Sequence, residues 1–251
     1  MQDRSYDKNK RIRIFAGPNG SGKSTILGLI DSTYDIGYYI NADEIEKKLK
    51  SDNYIQLSDY GIRNFDSIKF DEFIKQHSII AKATSEGYEI DITIDGNRIV
   101  NPNAKTHSYE AALLADFLRY ELLNQEKKMT FETVMSHPSK LEFLKLSQSQ
   151  GYKNYLYYVS TENPQINIAR VEQRVKLGGH PVLETKIESR YFNSLDLLSE
   201  AVQYTYRSFI FDNSSSEAQL IIEIYNGEEI IYNVPEIPKW VDKYLFNKST
   251  K

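Results

Sequence analysis

Gly17-Pro18-Asn19-Gly20-Ser21-Gly22-Lys23-Ser24, followed by Thr25, has the spacing G-x-x-x-x-G-K-S/T. That spacing has a physical purpose. Its glycines let the backbone curl until the N–H groups converge on phosphate oxygens. The helix that follows adds partial positive charge at its N-terminus. Lys23 is placed to reach the β- and γ-phosphates, and Ser24 to give an oxygen to Mg²⁺. Residues 17–25 therefore read as a site for ATP, or GTP, with Mg²⁺. The motif alone does not choose among kinase, GTPase, ABC ATPase and motor. The chain has no LSGGQ-like signature, no apolar run ending in Asp-Glu and no guanine-reading N/T-K-x-D. A small-molecule kinase is the reading that remains.

Two acids and two arginines sit where such a kinase would need them. Asp43 follows a short strand at 37–41, and Glu132 ends a strand at 129–132. Both would lie at the carboxyl edge of a sheet, beside the loop. Arg170 and Arg174 are four residues apart and share a helix face, next to an apolar stripe of Ile168, Val171 and Val175. Like charges at this spacing repel unless an anion or an acid offsets them. Phosphates would do so, and so would Glu172, Glu184 or Glu188.

The elements that must position these groups alternate. Strands are expected at 11–16, 37–41, 129–132, 155–160 and 208–212. Helices are expected at 23–30, 42–50, 108–125, from Pro138 to before Gly151, from Pro164 to Gly178-Gly179, and at 183–205. Residues 60–84 have mixed helical spacing through Phe65, Ile68, Phe73, Ile74, Ile79 and Ile80. Hairpins centre on Asp95-Gly96 and Asn226-Gly227, where Asx-Gly pairs favour tight turns. A terminal helix follows Pro238. Alternation of this kind predicts an α/β fold: a parallel five-stranded sheet flanked by helices, with antiparallel hairpins added. One domain over 1–251 is expected, with an insertion at 85–107 and a hairpin-helix extension at 217–251.

Composition narrows the classes further. The chain has 251 residues, 40% hydrophobic and 26% charged, which is globular composition. It has no cysteine, which removes disulfide scaffolds, thiolate metal sites and cysteine nucleophiles. A net charge of −4 argues against nucleic acid as partner. No apolar run is long enough for a membrane span, and the first residues lack a secretory h-region, so a cytoplasmic protein is expected. The 19 tyrosines read as strand and interface filling. His77, His107, His137 and His180 lack metal-ligand spacing. Lys8, Lys10, Arg11 and Arg13 read as a solvated strand flank.

Further segments add a resemblance. Ile40-Asn41-Ala42-Asp43-Glu44-Ile45, Phe131-Glu132-Thr133-Val134-Met135-Ser136, Arg170 to Val182 with its Gly178-Gly179-His180, Arg190-Tyr191 and Asp212-Asn213-Ser214 occur in order. Together with the loop they resemble the zeta-toxin family of P-loop kinases, and more closely its branch labelled predicted ABC-type ATPase. The resemblance spans 11–60 and 108–216. Residues 85–107 depart from it, and Val134 stands where the branch often has Thr.

The resemblance implies a kinase-type P-loop sheet. It also implies ATP-dependent phosphorylation of a hydroxyl on a UDP-activated amino sugar, UDP-N-acetylglucosamine, and an antitoxin protein as partner. It makes Asp43 the carboxylate that orients or deprotonates the acceptor hydroxyl. Glu132 would bind a substrate hydroxyl or a water on Mg²⁺. Asn41, Thr133, Ser136 and Arg190 become substrate contacts, although Asn41 also suits a helix cap and Ser136 a helix start. Asn213 becomes a nucleotide contact, beside the plainer reading of an Asx-turn. Gly178-Gly179 is either a lid hinge or a helix C-cap. Two alternatives stay open: a phosphotransferase for another sugar, nucleotide or antibiotic hydroxyl, and a nucleotide-gated binding module with slow hydrolysis.

Overall fold

Helices and strands alternate along the computed structural model, which describes residues 10–63, 65–102, 108–179 and 181–247. Lys8, His107, His180 and positions 103–107 of the expected insertion lie outside the described residues. The chain opens with β1 (Arg11–Ala16), α1 (Lys23–Asp31), β2 (Tyr38–Ile40), α2 (Ala42–Asp52) and β3 (Tyr54–Gln56). A 3-10 turn (Leu57–Tyr60), α3 (Ser67–Gln76), α4 (Ser78–Ser85), β4 (Thr93–Asp95), β5 (Arg98–Val100) and α5 (Ser108–Asn124) follow. Next come β6 (Met129–Thr133), α6 (Ser139–Ser149), β7 (Lys153–Ser160), α7 (Pro164–Lys176), α8 (Glu184–Gln203) and β8 (Arg207–Asp212). The chain closes with β9 (Gln219–Tyr225), β10 (Glu229–Tyr232), α9 (Lys239–Val241) and a π-helical turn (Asp242–Phe246). Among the described residues, no helix is long and apolar enough to cross a membrane.

The fold is α/β and divides into two compact units. One holds the residues up to Ile36 and from Thr130 onward, the other Gly37–Met129. In the first unit, strands lie side by side in the order β10-β9-β8-β7-β1-β6. β1 and β7 pair in parallel, as do β7 and β8. β9 and β10 add the expected antiparallel hairpin, with Asn226 and Gly227 both at positive φ, as a tight primed turn requires. Parallel strands are covered on both faces, so β1 reads as a nearly continuous buried run.

Register does two things here. Phe15, Tyr157 and Phe209 are partners across three strands, and their rings stack at 4.6 and 4.8 Å between centroids. This is the strand filling that aromatic residues were expected to supply. Ala16 pairs with Tyr158, and Ser160 with Asp212. The carboxyl ends of β7 and β8 are therefore level and β1 ends two residues earlier, so the loops after them emerge at one edge.

The second unit is built on α5, buried along most of its length. Phe65, Phe70, Phe73 and Phe117 pack edge to face against one another. Ile68, grouped with them by spacing, is instead exposed. The hairpin β4–β5 forms as expected. Its β5 also pairs antiparallel with β3, which places Ile55 against Ile99 in the core.

Candidate phosphate-binding site

The loop between β1 and α1 is shaped by close backbone contact. Gly17 has φ +138°, and a Cβ there would lie 2.0 Å from the carbonyl oxygen of Val159. Only glycine lets the loop leave β1 that close to β7. Lys23 Nζ donates to the carbonyls of Gly17 and Pro18, each at 2.9 Å, so its ammonium lies over the loop. Gly22 supplies no side-chain cap to α1, and the first turn holds no acid. The positive end of the helix is therefore not neutralised from its own first turn, a setting that suits an anion. Ser21 Oγ is buried without a hydrogen-bond partner among the described residues, as is Asn19 Oδ1. A phosphate oxygen is the kind of acceptor such a hydroxyl would satisfy.

Glu132 comes to this loop from the end of β6. Ser24 Oγ donates to its carboxylate, 3.0 Å from Oε2 and 3.2 Å from Oε1. A hydroxyl beside a carboxylate offers the hard oxygens that Mg²⁺ prefers. Among the described residues, no group of three or more histidines and acids is placed to hold a metal. The pair fits Mg²⁺ shared with phosphates and water, the manner usual for this ion.

Thr133 and Val134, which follow Glu132, have structural partners. Thr133 Oγ1 accepts from the N–H of Met135, which sits at φ +53° with a buried side chain. Ser194 Oγ of α8 donates to the Val134 carbonyl at 2.7 Å. Ser136 is half-buried and makes no hydrogen bond among the described residues. The start of α6 is served instead by His137, whose Nδ1 accepts from Ser139 N–H.

The arginines divide by role. Arg170 donates to the backbone carbonyls of Asn213, at 2.8 Å, and Ser215, at 3.1 Å. It braces the loop after β8. Arg174 lies one turn further along an exposed stretch of α7. Arg190 is half-buried on α8 and has no partner among the described residues. The stripe beside them is shorter than its spacing suggests. Ile168 and Val171 pack with Ile187, but Val175 is 37% exposed, because α7 ends one residue later. Gly178 and Gly179 cap that end: Gly178 N–H bonds Val175 O, and Gly179 N–H bonds Arg174 O. This is a Schellman cap, with Gly178 left-handed at φ +88°.

The loop after β8 contains the Asx-turn, made by Asp212, and Asn213 reaches the phosphate loop itself. Asp212 Oδ1 accepts from Ser214 N–H in an Asx-turn, while Asn213 Nδ2 donates to Ser21 O of the phosphate loop at 2.8 Å. In the second unit, Asn41 Oδ1 accepts from the N–H groups of Asp43 and Glu44, and so caps α2. Asp43 is exposed in the first turn, and its carboxylate makes no hydrogen bond or ion pair among the described residues.

One residue at the loop escapes a reading by motif. Asn167 of α7 is fully buried and donates from Nδ2 to Asn19 O at 2.6 Å. It stands four residues before Val171, on the apolar face. An amide on that face must find partners, and that was the available signal. Tyr191 donates to Thr161 O at 2.6 Å. Burial pushes its hydroxyl well above the ordinary range, so it remains a donor.

No protein-family profile matches the chain. An uncharacterized protein of Haemophilus influenzae is 29% identical over 106 residues, covering 41% of this chain and 76% of that protein. Among solved structures, the AvrRxo1-ORF1–ORF2 complex matches with a TM-score of 0.51 at 12% identity, over 90% of this chain. This chain covers 61% of the length of that one. A structure of the PezAT chromosomal toxin–antitoxin system of Streptococcus pneumoniae matches with a TM-score of 0.48 at 11% identity, over 100% of this chain and 84% of that one. At such identities the likeness is one of fold, an α/β fold around a mostly parallel sheet.

Proposed function

We propose that this chain is an ATP- and Mg²⁺-dependent phosphotransferase acting on a hydroxyl of a small molecule. One observation carries the reading: the Ser24 hydroxyl and the Glu132 carboxylate meet beside a loop whose following helix has no acid in its own first turn. The loop amides would bind the β- and γ-phosphates. Lys23 would turn from the carbonyls of Gly17 and Pro18 onto a phosphate oxygen. Mg²⁺, held by Ser24 with Glu132 nearby, would neutralise phosphate charge. Asp43 would orient the acceptor hydroxyl and take its proton as the new P–O bond forms, while the bond from the γ-phosphorus to the β,γ-bridging oxygen breaks and ADP leaves. Arg174 and Arg190 would offset charge on the transferring group, since Arg170 is engaged by backbone carbonyls.

The sequence resemblance to zeta toxins makes a UDP-amino sugar such as UDP-N-acetylglucosamine the first acceptor to test. It also suggests an antitoxin protein as partner. The AvrRxo1-ORF1 likeness supports a protein partner, because that protein is seen in complex with a second one.

The test is transfer of label from γ-labelled ATP, with Mg²⁺, to UDP-N-acetylglucosamine and then to a panel of sugars, nucleosides and aminoglycosides. Labelled product in wild type, absent in Lys23→Ala, is the expected result. Tight ATP binding with no transfer to any hydroxyl would overturn the reading in favour of a nucleotide-gated binding module.

A further inference from the structure

The phosphate loop is held from outside as well as shaped from within. A peptide unit is planar, so the N–H of one residue points opposite to the C=O of the residue before it. Fixing the carbonyl of Asn19 fixes the N–H of Gly20, and fixing the carbonyl of Ser21 fixes the N–H of Gly22. Each of those carbonyls accepts from an asparagine side chain. Asn167 Nδ2 donates to Asn19 O at 2.6 Å, and Asn213 Nδ2 donates to Ser21 O at 2.8 Å.

The two asparagines are themselves locked. Asn167 faces a carbonyl on one side, which only its NH₂ can satisfy. Its Oδ1 accepts from Thr161 Oγ1, whose proton is shared with Asn163 O. Thr161 is held in turn by Tyr191, which donates to its carbonyl. The backbone of α7 closes on the same spot: a Cβ on Gly20 would fall 2.5 Å from Asn167 O. Asn213 is anchored by its own N–H to Ser160 O, and by Arg170 to its carbonyl. Asn167 and Arg170 are three residues apart on α7, so one helix reaches one asparagine arm and braces the other.

We propose that Asn167 and Asn213 are positioning residues that aim the Gly20 and Gly22 N–H groups at the phosphates, with α7 as the shared strap. The inference goes beyond the proposed activity, and it rests on the reading that this loop binds nucleotide phosphates.

The experiment measures calorimetric binding of β,γ-imido-ATP with Mg²⁺ to the full chain, beside the melting curve without nucleotide. Asn167→Ala leaves the Asn19 carbonyl buried without its donor and is expected to weaken binding about tenfold. Asn167→Asp keeps the shape but sets a carboxylate against that carbonyl, and is expected to bind no better than the Ala variant. A role in packing alone predicts the opposite, with Asp restoring wild-type affinity. Asn213→Ala is expected to weaken binding about threefold to tenfold.

Binding by Asn167→Ala within twofold of wild type, or full recovery in Asn167→Asp, overturns the proposal. If Asn167→Ala loses its cooperative melt, Thr161→Val tests the same relay. About threefold weaker binding supports the proposal there, and unchanged binding overturns it. Wild type that fails to bind the analogue sinks the phosphate reading and the clamp with it. Wild type that binds, while both Asn167 variants bind as tightly as wild type, sinks only the clamp.

Discussion

The phosphate loop and the turn between α7 and α8 are both marked by glycine, and they use it for opposite purposes. At Gly17 the missing side chain lets two backbones approach, with Val159 O where a Cβ would stand. Around it Ser21 is fully buried, and two asparagine amides grip the outward carbonyls. At Gly178 nothing lies within 4 Å of a Cβ position, and Leu177 beside it is 88% exposed. Glycine there ends a helix in the left-handed region. The loop glycines belong to a preorganised cradle, the Gly178-Gly179 pair to a connection between two helices that carry Arg174 and Arg190.

Substitutions can press on this difference. The largest effect is expected at Gly17→Ala. The neighbour at 2.0 Å is a strand carbonyl, which cannot yield as a side chain would. A loss of about 3 kcal/mol or more is expected, read as a collapse of the denaturation midpoint. A melt within 1 kcal/mol of wild type would show that the loop is less constrained than its contacts imply.

Next is Asp43→Asn, which alters neither glycine region. Nucleotide binding should persist while transfer falls on the order of 10²-fold. Retained transfer would remove Asp43 from the chemistry.

Arg170→Ala and Arg174→Ala then compare the two regions directly. Arg170 satisfies two carbonyls of the loop after β8, so its removal should cost about 1–2 kcal/mol in urea denaturation. Arg174 is exposed, and its removal should change stability by less than about 0.5 kcal/mol while lowering transfer. The reverse pattern would exchange their roles.

What was legible in the sequence follows the same division. The strand, loop and helix of the phosphate site could be read because glycine spacing and apolar runs are local signals. The hairpins could be read from Asp95-Gly96 and Asn226-Gly227. β3 could not. It is three residues long, and its place comes from pairing with β5, more than forty positions on. Val175 fits the helical period of Ile168 and Val171, but period does not say where the packing partner stops, and Ile187 covers only the first two. Asn167 was invisible to motif reasoning because it binds a backbone carbonyl, and a carbonyl leaves no trace in residue type. The Ser24–Glu132 contact spans 108 positions, and only the shared sheet edge made it expected.

The smallest effect belongs to Gly178→Ala, and it decides what the exposed turn is for. The added methyl meets nothing within 4 Å, so the only penalty is holding alanine at φ +88°. That amounts to about 1 kcal/mol of stability. A helix cap, the role its hydrogen bonds to Val175 and from Gly179 to Arg174 describe, predicts a correspondingly small shift in midpoint. Nucleotide affinity and transfer rate should then stay within about twofold of wild type. A hinge predicts something else. Restricting the backbone at one point of a moving connection should slow transfer well beyond the small loss of stability, since Arg174 and Arg190 flank that connection. Gly179→Ala provides the scale: its Cβ would lie 2.6 Å from Arg174 Cγ and 2.9 Å from Arg174 O, so it displaces the arginine directly. If Gly178→Ala slows transfer as much as Gly179→Ala does, the turn moves during the reaction. If only Gly179→Ala slows it, the glycines cap the helix and Arg174 acts from a fixed position.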